Sequence, residues 1–371
     1  MKKSFWIYLI VFLIIISTAL ISCGGGGGGG PVSMDISGTA SSTPSSSGTT
    51  TIAPVEIDAS QLSQYLAEQA TNTPSTAYYI KVTALTTNNY TNIKPALTAN
   101  PTKYVDLSTT HLPDGISNLE YCFDGCTSLV RAPAIPEGVT NIERCFYDCT
   151  SLTQVPELPS SITNIYECFK NCSSLVTAPA IPEGIQDMRG CFSGCSSLTQ
   201  APVIPNGVIY LQDCFHDCSS LTQPPAIPDS VEYIMACFVN CTSLQQTPVI
   251  PNSITNLGSC FWGCTALTQV QNIPDNVTQM YNCFQNCTSL AQLPPIPSGV
   301  STMSSCFMGC TALEHVEIMA ENCYWGGCFV NCNKDILYIE VPNNSVKTMI
   351  LQQGSSYYVN ENNITVSTPS L

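Results

Sequence analysis

The feature that most constrains this chain is a cysteine pair, Cys-Phe-x-x-Cys, that recurs at a nearly fixed interval. Its first cysteine lies at residues 122, 145, 168, 191, 214, 237, 260, 283 and 306, so every step is 23 residues, and a tenth pair follows at Cys328 and Cys332. A fixed period of this length is typical of a solenoid, in which each unit buries its apolar edge against its neighbours. The 371 residues are therefore predicted to contain one long repeat array.

Between the cysteine pairs, apolar side chains recur at positions that predict a continuous core. In nearly every unit, a leucine lies three residues after the second cysteine of the pair. Aliphatic side chains lie 10 and 13 residues after that leucine, as at Leu152, Ile162 and Ile165. A phenylalanine directly follows each first cysteine. Units that stack at the spacing of neighbouring strands, about 5 Å, place each of these positions in a column. The columns predict a core that is continuous but only one repeat wide.

Two further positions in the repeat predict the backbone conformation of each unit. The residue before each second cysteine is always Gly, Asn or Asp, the residue types that most readily adopt a positive φ. We therefore expect a short helical turn around each Cys-Phe, ended by a left-handed residue. Prolines follow most of the leucines by four and seven residues, as at Pro179 and Pro182. Because proline donates no ladder hydrogen bond, strands of only three or four residues are expected in each unit.

The repeated unit resembles the treponemal-type, BspA-like leucine-rich repeats. The pattern Leu-x-x-x-Pro-x-Ile-Pro-x-x-Val-x-x-Ile, followed by Cys-Phe-x-x-Cys, is similar to theirs across residues 112–332. It departs from them in the cysteine that replaces alanine before phenylalanine, and in the additional proline. The resemblance implies an α/β repeat solenoid: a leucine-rich-repeat-like right-handed coil of 23-residue units with short parallel strands and short helical turns, plus N- and C-terminal caps.

The N-terminus predicts export. Lys2 and Lys3 precede an apolar run that ends in Leu-Ile-Ser-Cys, and this ending resembles the lipobox of bacterial lipoprotein signal peptides. The resemblance implies cleavage before Cys23 and lipidation of that residue. The alternative is an uncleaved membrane anchor, since about 17 apolar residues nearly span a bilayer. The expected order is a signal peptide at 1–22, a Gly/Ser/Thr/Pro tether at 23–54, an N-terminal cap at 55–111, the solenoid of ten units at 112–332 and a C-terminal cap at 333–371.

The paired cysteines leave three interpretations open. The two cysteines of a unit form a disulfide, as an exported protein permits, or remain reduced as small apolar residues, or bind a metal. The spacing is not that of a structural zinc knuckle. Because no unit keeps one cysteine of its pair alone, the disulfide is the leading hypothesis, with Cys323 left unpaired. The candidate disulfide cysteines are Cys122, Cys126, Cys145, Cys149, Cys168, Cys172, Cys191, Cys195, Cys214, Cys218, Cys237, Cys241, Cys260, Cys264, Cys283, Cys287, Cys306, Cys310, Cys328 and Cys332.

The net charge and the residue types present disfavour several classes of partner and of activity. The net charge of −15 disfavours nucleic acid and anionic membrane surfaces as partners. The three histidines lie far apart in the sequence, and no phosphate-binding loop, nucleophile elbow or special Cys/His pair stands out. We therefore expect no enzymatic activity, no catalytic residues, no cofactor, no metal and no small-molecule substrate.

Two exposed columns are candidate partner-binding surfaces. One is a Thr/Gln ladder that follows the leucines, and it either satisfies its own hydrogen bonds between units or offers a polar face to a partner. Its candidate binding residues are Gln154, Gln200, Gln223, Gln246 and Gln269. The other is the variable residue after each phenylalanine, which is either ordinary surface or binds through its large apolar members. Those members are Tyr147, Trp262 and Met308.

The leading functional hypothesis is a lipoprotein of the bacterial cell envelope, exposed on the outer membrane, that serves as a protein-binding scaffold. The family resemblance implies adhesion to host extracellular-matrix or cell-surface partners, or contacts between bacteria. The alternative is a structural or antigenically variable coat protein with no single ligand. An envelope enzyme or metal protein is a third, weaker hypothesis.

Overall fold

The repeats form a parallel-strand solenoid, as the sequence predicts. The computed structural model describes residues 53–353 and 359–367. The predicted signal peptide, the lipidation site Cys23 and nearly all of the predicted tether lie outside the described residues. The proposed domain boundaries stay predictions.

The N-terminal flank consists of short strands and helices that precede the first complete unit. Their bounds are β1 Val55–Asp58, α1 Leu62–Glu68, β2 Tyr78–Thr83, α2 Ile93–Thr98 and β3 Val105–Asp106, with 3-10 turns at Pro74–Thr76 and Tyr90–Asn92. Strands β1, β2 and β3 pair in parallel, and β3 pairs with β4 (Leu129–Arg131) of the first unit. This sheet therefore continues directly into the repeats.

The C-terminal flank repeats this arrangement at the other end. Strand β5 (His315–Glu317) belongs to the last complete unit and pairs in parallel with β6 (Tyr338–Val341), which pairs with β7 (Ile364–Val366). Helix α3 (Asn344–Gln353) and a 3-10 turn at Glu361–Asn363 lie between β6 and β7. Val346 and Ile350 of α3 are buried, so the helix covers apolar side chains at this end.

Strands within the solenoid are shorter than the three or four residues predicted. Between β4 and β5, residues 132–314 are all described, and successive units there pair through isolated bridges. Thr177 pairs with Gln200, and Gln200 with Gln223, one unit apart. The prolines that flank these positions cannot extend the ladder because they carry no N–H group.

The predicted core columns are confirmed. The leucine column from Leu129 to Leu313 is fully buried, and the two aliphatic columns that follow it are at most 1% exposed. The phenylalanines form a continuous stack, in which nine consecutive ring pairs from Phe123 to Phe329 have centroids 5.4–5.9 Å apart and planes within 16° of parallel. Burying one such side chain contributes on the order of 1.5–3 kcal/mol, so the spine is a main source of stability.

The corner that carries each cysteine pair differs from the expected helical turn. All ten residues before the second cysteine have a positive φ, as predicted, for example Asp148 at 56° and Asn240 at 55°. The chain there forms two successive turns, closed by Cys145 N–H to Ile142 O and Cys149 N–H to Phe146 O. The intervening Phe146 N–H donates to Cys168 O of the next unit. These hydrogen bonds between units replace the helical bonds that the sequence led us to expect.

Candidate binding surface

The cysteine pairs lie inside the core. All 21 described cysteines are buried free thiols in the structure, which corresponds to the reduced interpretation. The second cysteine of a unit donates its Sγ–H to the phenylalanine carbonyl of the preceding unit, as from Cys149 to Phe123 at 3.1 Å and from Cys241 to Phe215 at 3.1 Å. The thiols are therefore packing residues that also link neighbouring units. The disulfide within each unit stays a prediction for the exported protein.

Burial sets the chemistry of these thiols. It raises the pKa of Cys122 and of Cys126 to about 12, and it raises the pKa of Cys145 well above its usual range. Because the thiolate is the reactive form, these cysteines are poor nucleophiles in the folded chain. Among the described residues, no group of three or more His, Cys, Asp or Glu side chains is arranged to hold a metal ion.

The Thr/Gln ladder separates into two parts. Thr153 and Thr268 donate their hydroxyls to backbone carbonyls one unit earlier, at Val130 and Gln245. The neighbouring glutamine side chains Gln154, Gln200, Gln223 and Gln269 are exposed, and Gln246 is half-buried. Gln246 Nε2 donates to Gln223 Oε1 at 2.8 Å. The threonines thus serve the fold, and partner binding by the glutamines stays a prediction.

The variable column after the phenylalanines runs along one edge of the solenoid. Trp262 is 39% exposed, whereas Tyr147 and Met308 are half-buried. Val239 and Ser193 of the same column are buried. Of the three predicted contacts, Trp262 therefore offers the most surface, and Tyr147 lies in a cluster that the sequence reading missed.

That cluster is centred on Arg144. The Arg144 guanidinium carbon lies 5.6–5.7 Å from the ring centroids of Tyr121, Tyr147 and Tyr166. Its Nε donates to Glu167 Oε2 at 2.6 Å, and its Nη1 donates to the Tyr121 hydroxyl at 3.2 Å. Cation–π contacts of this kind contribute about 0.5–1 kcal/mol each at exposed sites. Together they hold the arginine in one orientation on the surface.

The cluster extends into the next two units. Arg189 lies 5.3 Å from the ring centroids of both Tyr166 and Tyr210, and the Tyr210 ring stacks on Tyr233 at 5.0 Å. Lys170 Nζ donates to Glu167 Oε1 at 2.7 Å. We call this surface the Tyr–Arg patch; its residues are Tyr121, Arg144, Tyr147, Tyr166, Glu167, Lys170, Arg189 and Tyr210.

The distribution of cations is a sequence signal that could have indicated this patch. Residues 112–332 contain only four Lys or Arg residues, and three of them are Arg144, Lys170 and Arg189 of the patch. They are 19 to 45 residues apart in the sequence, so only the folded repeat brings them together. Aromatic residues and arginine are also the types most enriched at protein interfaces.

The fold and this surface define a class of protein: a leucine-rich-repeat solenoid, an architecture typical of protein-binding scaffolds. Residues 102–222 and 234–357 match the BspA-type leucine-rich repeat region in six copies. The chain belongs to this family. No curated protein matches the chain.

The chain is similar to solved structures of other leucine-rich repeat proteins. A leucine-rich cell surface protein from Faecalibacterium prausnitzii is 25% identical, with 72% of this chain and 81% of that chain covered and a TM-score of 0.45. A leucine-rich repeat protein from Bacteroides ovatus is 21% identical, with coverages of 73% and 85% and a TM-score of 0.40. A leucine-rich repeat protein of T. pallidum is 27% identical, with coverages of 51% and 78% and a TM-score of 0.35.

In the described part of the chain, no helix has the length and hydropathy to cross a membrane.

Proposed function

We propose that this chain is a lipid-anchored surface adhesin that binds host extracellular-matrix or cell-surface proteins through its variable edge. The single observation that carries the proposal is the contrast between the columns. The core columns repeat almost unchanged from unit to unit. The edge column, which is the residue after each phenylalanine, instead varies between units, as in Tyr147, Lys170, His216 and Trp262. A uniform core that displays a varied edge suits a scaffold whose specificity lies in surface side chains.

The dimensions of the edge support a single protein partner. Tyr147 and Trp262 are five units apart, which corresponds to about 24 Å at the spacing of neighbouring strands, about 4.8 Å. A standard interface buries about 800 Å² on each partner, a patch about 28 Å across. One partner surface can therefore contact both ends of this edge at once.

The residue types on the edge also support binding. Tyr, Trp and Arg are the residues most often found as hot spots in protein interfaces. Arg144 and Arg189 are held by tyrosine rings and carboxylates, so binding orders them at little further cost in conformational entropy.

Display at the cell surface rests on the N-terminal sequence. Cleavage before Cys23 and acylation of that cysteine would anchor the chain, and the Gly/Ser/Thr/Pro tether would hold the solenoid away from the lipid. Intact-mass analysis of the protein extracted from membranes tests this part. The proposal expects an N-terminal cysteine with attached acyl chains, and an unprocessed N-terminus would contradict it.

Binding is tested with the full chain, purified in detergent, on immobilised fibronectin, fibrinogen, laminin and collagen. The proposal expects saturable binding to at least one of them, and binding to intact host epithelial cells. If the folded chain binds none of these, the adhesin role is wrong and the coat-protein hypothesis replaces it. Circular dichroism of the same sample establishes that the solenoid is folded in each assay.

A further inference from the structure

A polar recess lies between three successive units at the edge of the Tyr–Arg patch. It measures about 610 Å³ and includes Glu167, Lys170, Arg189, Gln212 and His216 in its lining. We propose that this recess binds a short neutral oligosaccharide. The inference goes beyond the protein-binding function proposed above because it concerns a different ligand class, although Lys170 and His216 belong to both surfaces.

The recess exists because two side chains at its floor are small. Gly190 occupies a column in which the neighbouring units carry Glu167 and Asp213, and Ser193 occupies the column of Lys170 and His216. A Cβ on Gly190 would come within 2.9 Å of Glu167 Cγ, so this column accepts only glycine here without a shift of the glutamate. The larger residues on either side become walls.

The charges in the recess argue for a neutral ligand. Two permanent cations, Lys170 and Arg189, face three carboxylates, those of Glu167, Asp213 and Asp217. Lys170 is paired with Glu167 at 2.7 Å, and Arg189 is paired with Asp187 at 2.6 Å. An anionic ligand would therefore meet carboxylates that outnumber the permanent cations, and its binding is disfavoured.

The hydrogen-bonding groups argue for hydroxyls. The recess offers carboxylates, amides, an imidazole and a guanidinium within one small volume, and vicinal hydroxyls both donate to and accept from such groups. The Oε1 atom of Gln212 is shielded from solvent and has no hydrogen-bond partner. A buried acceptor without a partner costs about 1–3 kcal/mol, so a rotation of the Gln212 amide into the recess, where a ligand hydroxyl can donate to Oε1, is favoured.

A second recess makes an oligosaccharide a better fit than a single sugar. It measures about 670 Å³, shares Tyr166 and Arg189 with the first, and is also lined by Asn164, Gln186 and Asp187. The guanidinium groups of Arg144 and Arg189 lie over the Tyr166 ring, 5.7 and 5.3 Å from its centroid. A ligand that crosses between the recesses therefore meets the hydroxyl and edge of this ring. With little apolar contact, the affinity is expected in the millimolar to high-micromolar range.

The first test exposes the full-length chain in detergent to a printed array of neutral, N-acetylated, sialylated and sulfated oligosaccharides. We expect binding to neutral or N-acetylated members, with sialic acid or sulfate weakening it. Binding confined to sialylated or sulfated members would overturn the proposal, as would no binding to any neutral member at millimolar concentration in solution.

The second test uses Gln212→Leu, with Gln285→Leu as the matched control outside the recess. Leucine removes the unpartnered oxygen but keeps most of the volume, so the melting temperature should stay the same or rise. We expect at least tenfold weaker binding of the best array ligand, measured by titration calorimetry, for Gln212→Leu and no change for the control. Unchanged affinity in Gln212→Leu would overturn the assignment to this recess.

Discussion

The Asn240 side chain fills the space that a Cβ atom on Gly263 would need. Its Oδ1 is the nearest atom to that position, and Gly194 and Gly309 have the same relationship to Asn171 and Asn286 of the units before them. On its other side, Asn240 Nδ2 donates to Asp217 Oδ1 at 2.9 Å. The alternation of Gly, Asp and Asn before the second cysteine is therefore set by contacts between successive units, in addition to the positive φ that each position requires.

This contact predicts different costs for two similar glycine substitutions. Gly125 and Gly263 have φ of 73° and 75°, but a Cβ on Gly125 would meet nothing within 4 Å. Gly125→Ala should lower the free energy of unfolding by about 1–2 kcal/mol, the strain of a left-handed alanine. Gly263→Ala should cost about 1–3 kcal/mol more, because Asn240 must move. Urea unfolding measures both. Equal costs, or no recovery when Asn240→Gly is added to Gly263→Ala, would contradict the coupling.

A second left-handed position in each unit predicts a stabilising substitution. Ala236, directly before Cys237, has a φ of 56°. Glycine removes the strain of a left-handed alanine, which is about 1–2 kcal/mol. It also costs about 0.5–1 kcal/mol, because glycine loses more conformational entropy on folding than alanine does. Ala236→Gly should therefore raise the free energy of unfolding by about 0.5–1 kcal/mol. The control Ala266→Gly, where φ is not positive, should lower it by a similar amount, and a loss of stability in both variants would refute the interpretation.

The buried thiols predict a steep loss of stability in alkali. The pKa of a thiol in the unfolded chain is 9.0, and burial raises the pKa of Cys122 to about 12 in the folded chain. The stability that the thiols contribute is complete below pH 9.0 and is lost as the pH rises toward the folded pKa. Each thiol lowers the free energy of unfolding by about 1.4 kcal/mol per pH unit in this window. Melting curves between pH 7 and pH 11 check the slope, and a flat profile would contradict free thiols.

Alkylation tests the same point residue by residue. The full chain is unfolded without reductant, treated with iodoacetamide and digested. The structure predicts alkylated peptides that carry both Cys145 and Cys149, and much slower alkylation of the same thiols in the folded chain. Recovery of a peptide with a bond between Cys145 and Cys149 would instead support the disulfide hypothesis.

His216 predicts a local pH dependence in the polar recess. The hydrogen bond with Asp213 raises the pKa of His216 above its ordinary value of 6.5, and the charge of Asp217 raises it further, against the effects of partial burial and of Lys170. The stability contributed by the charged imidazole is present below pH 6.5 and is lost as the pH rises through the folded pKa. An NMR titration should show a lower pKa for His216 in Asp213→Asn. No change in that variant would contradict the pairing.

Much of the fold could be predicted from sequence because each unit repeats the same physical requirement. Leu152, Ile162 and Phe146 have equivalents in nearly every unit, so their burial follows from the period alone. The left-handed residue before each second cysteine was predicted because Gly, Asn and Asp identify it. The strand length was predicted less well, because the effect of proline on pairing depends on both neighbouring units.

The second left-handed position could not be predicted from residue types. Tyr121, Arg144 and Glu167 have φ of 54°, 48° and 46°, although such side chains rarely adopt these angles. Hydrogen bonds to the next unit, from Arg144 N–H to Tyr166 O and from Glu167 N–H to Arg189 O, hold them there. The Tyr–Arg patch was missed for a related reason, since its contacts join residues from successive units.

The most direct test of the account compares binding by edge variants. The double variant Tyr147→Ala with Trp262→Ala is measured beside wild type and the control Val203→Ala, an exposed residue outside the edge column. The measurement is the dissociation constant for the matrix protein that binds saturably. The account predicts at least about a tenfold weaker affinity for the double variant, a loss of about 1.4 kcal/mol, and unchanged binding by the control. The melting temperature of the double variant should fall only slightly, because the Tyr147 ring loses its cation–π contacts with Arg144 and Lys170. Equal binding by the double variant and wild type would contradict the claim that the variable edge is the binding surface.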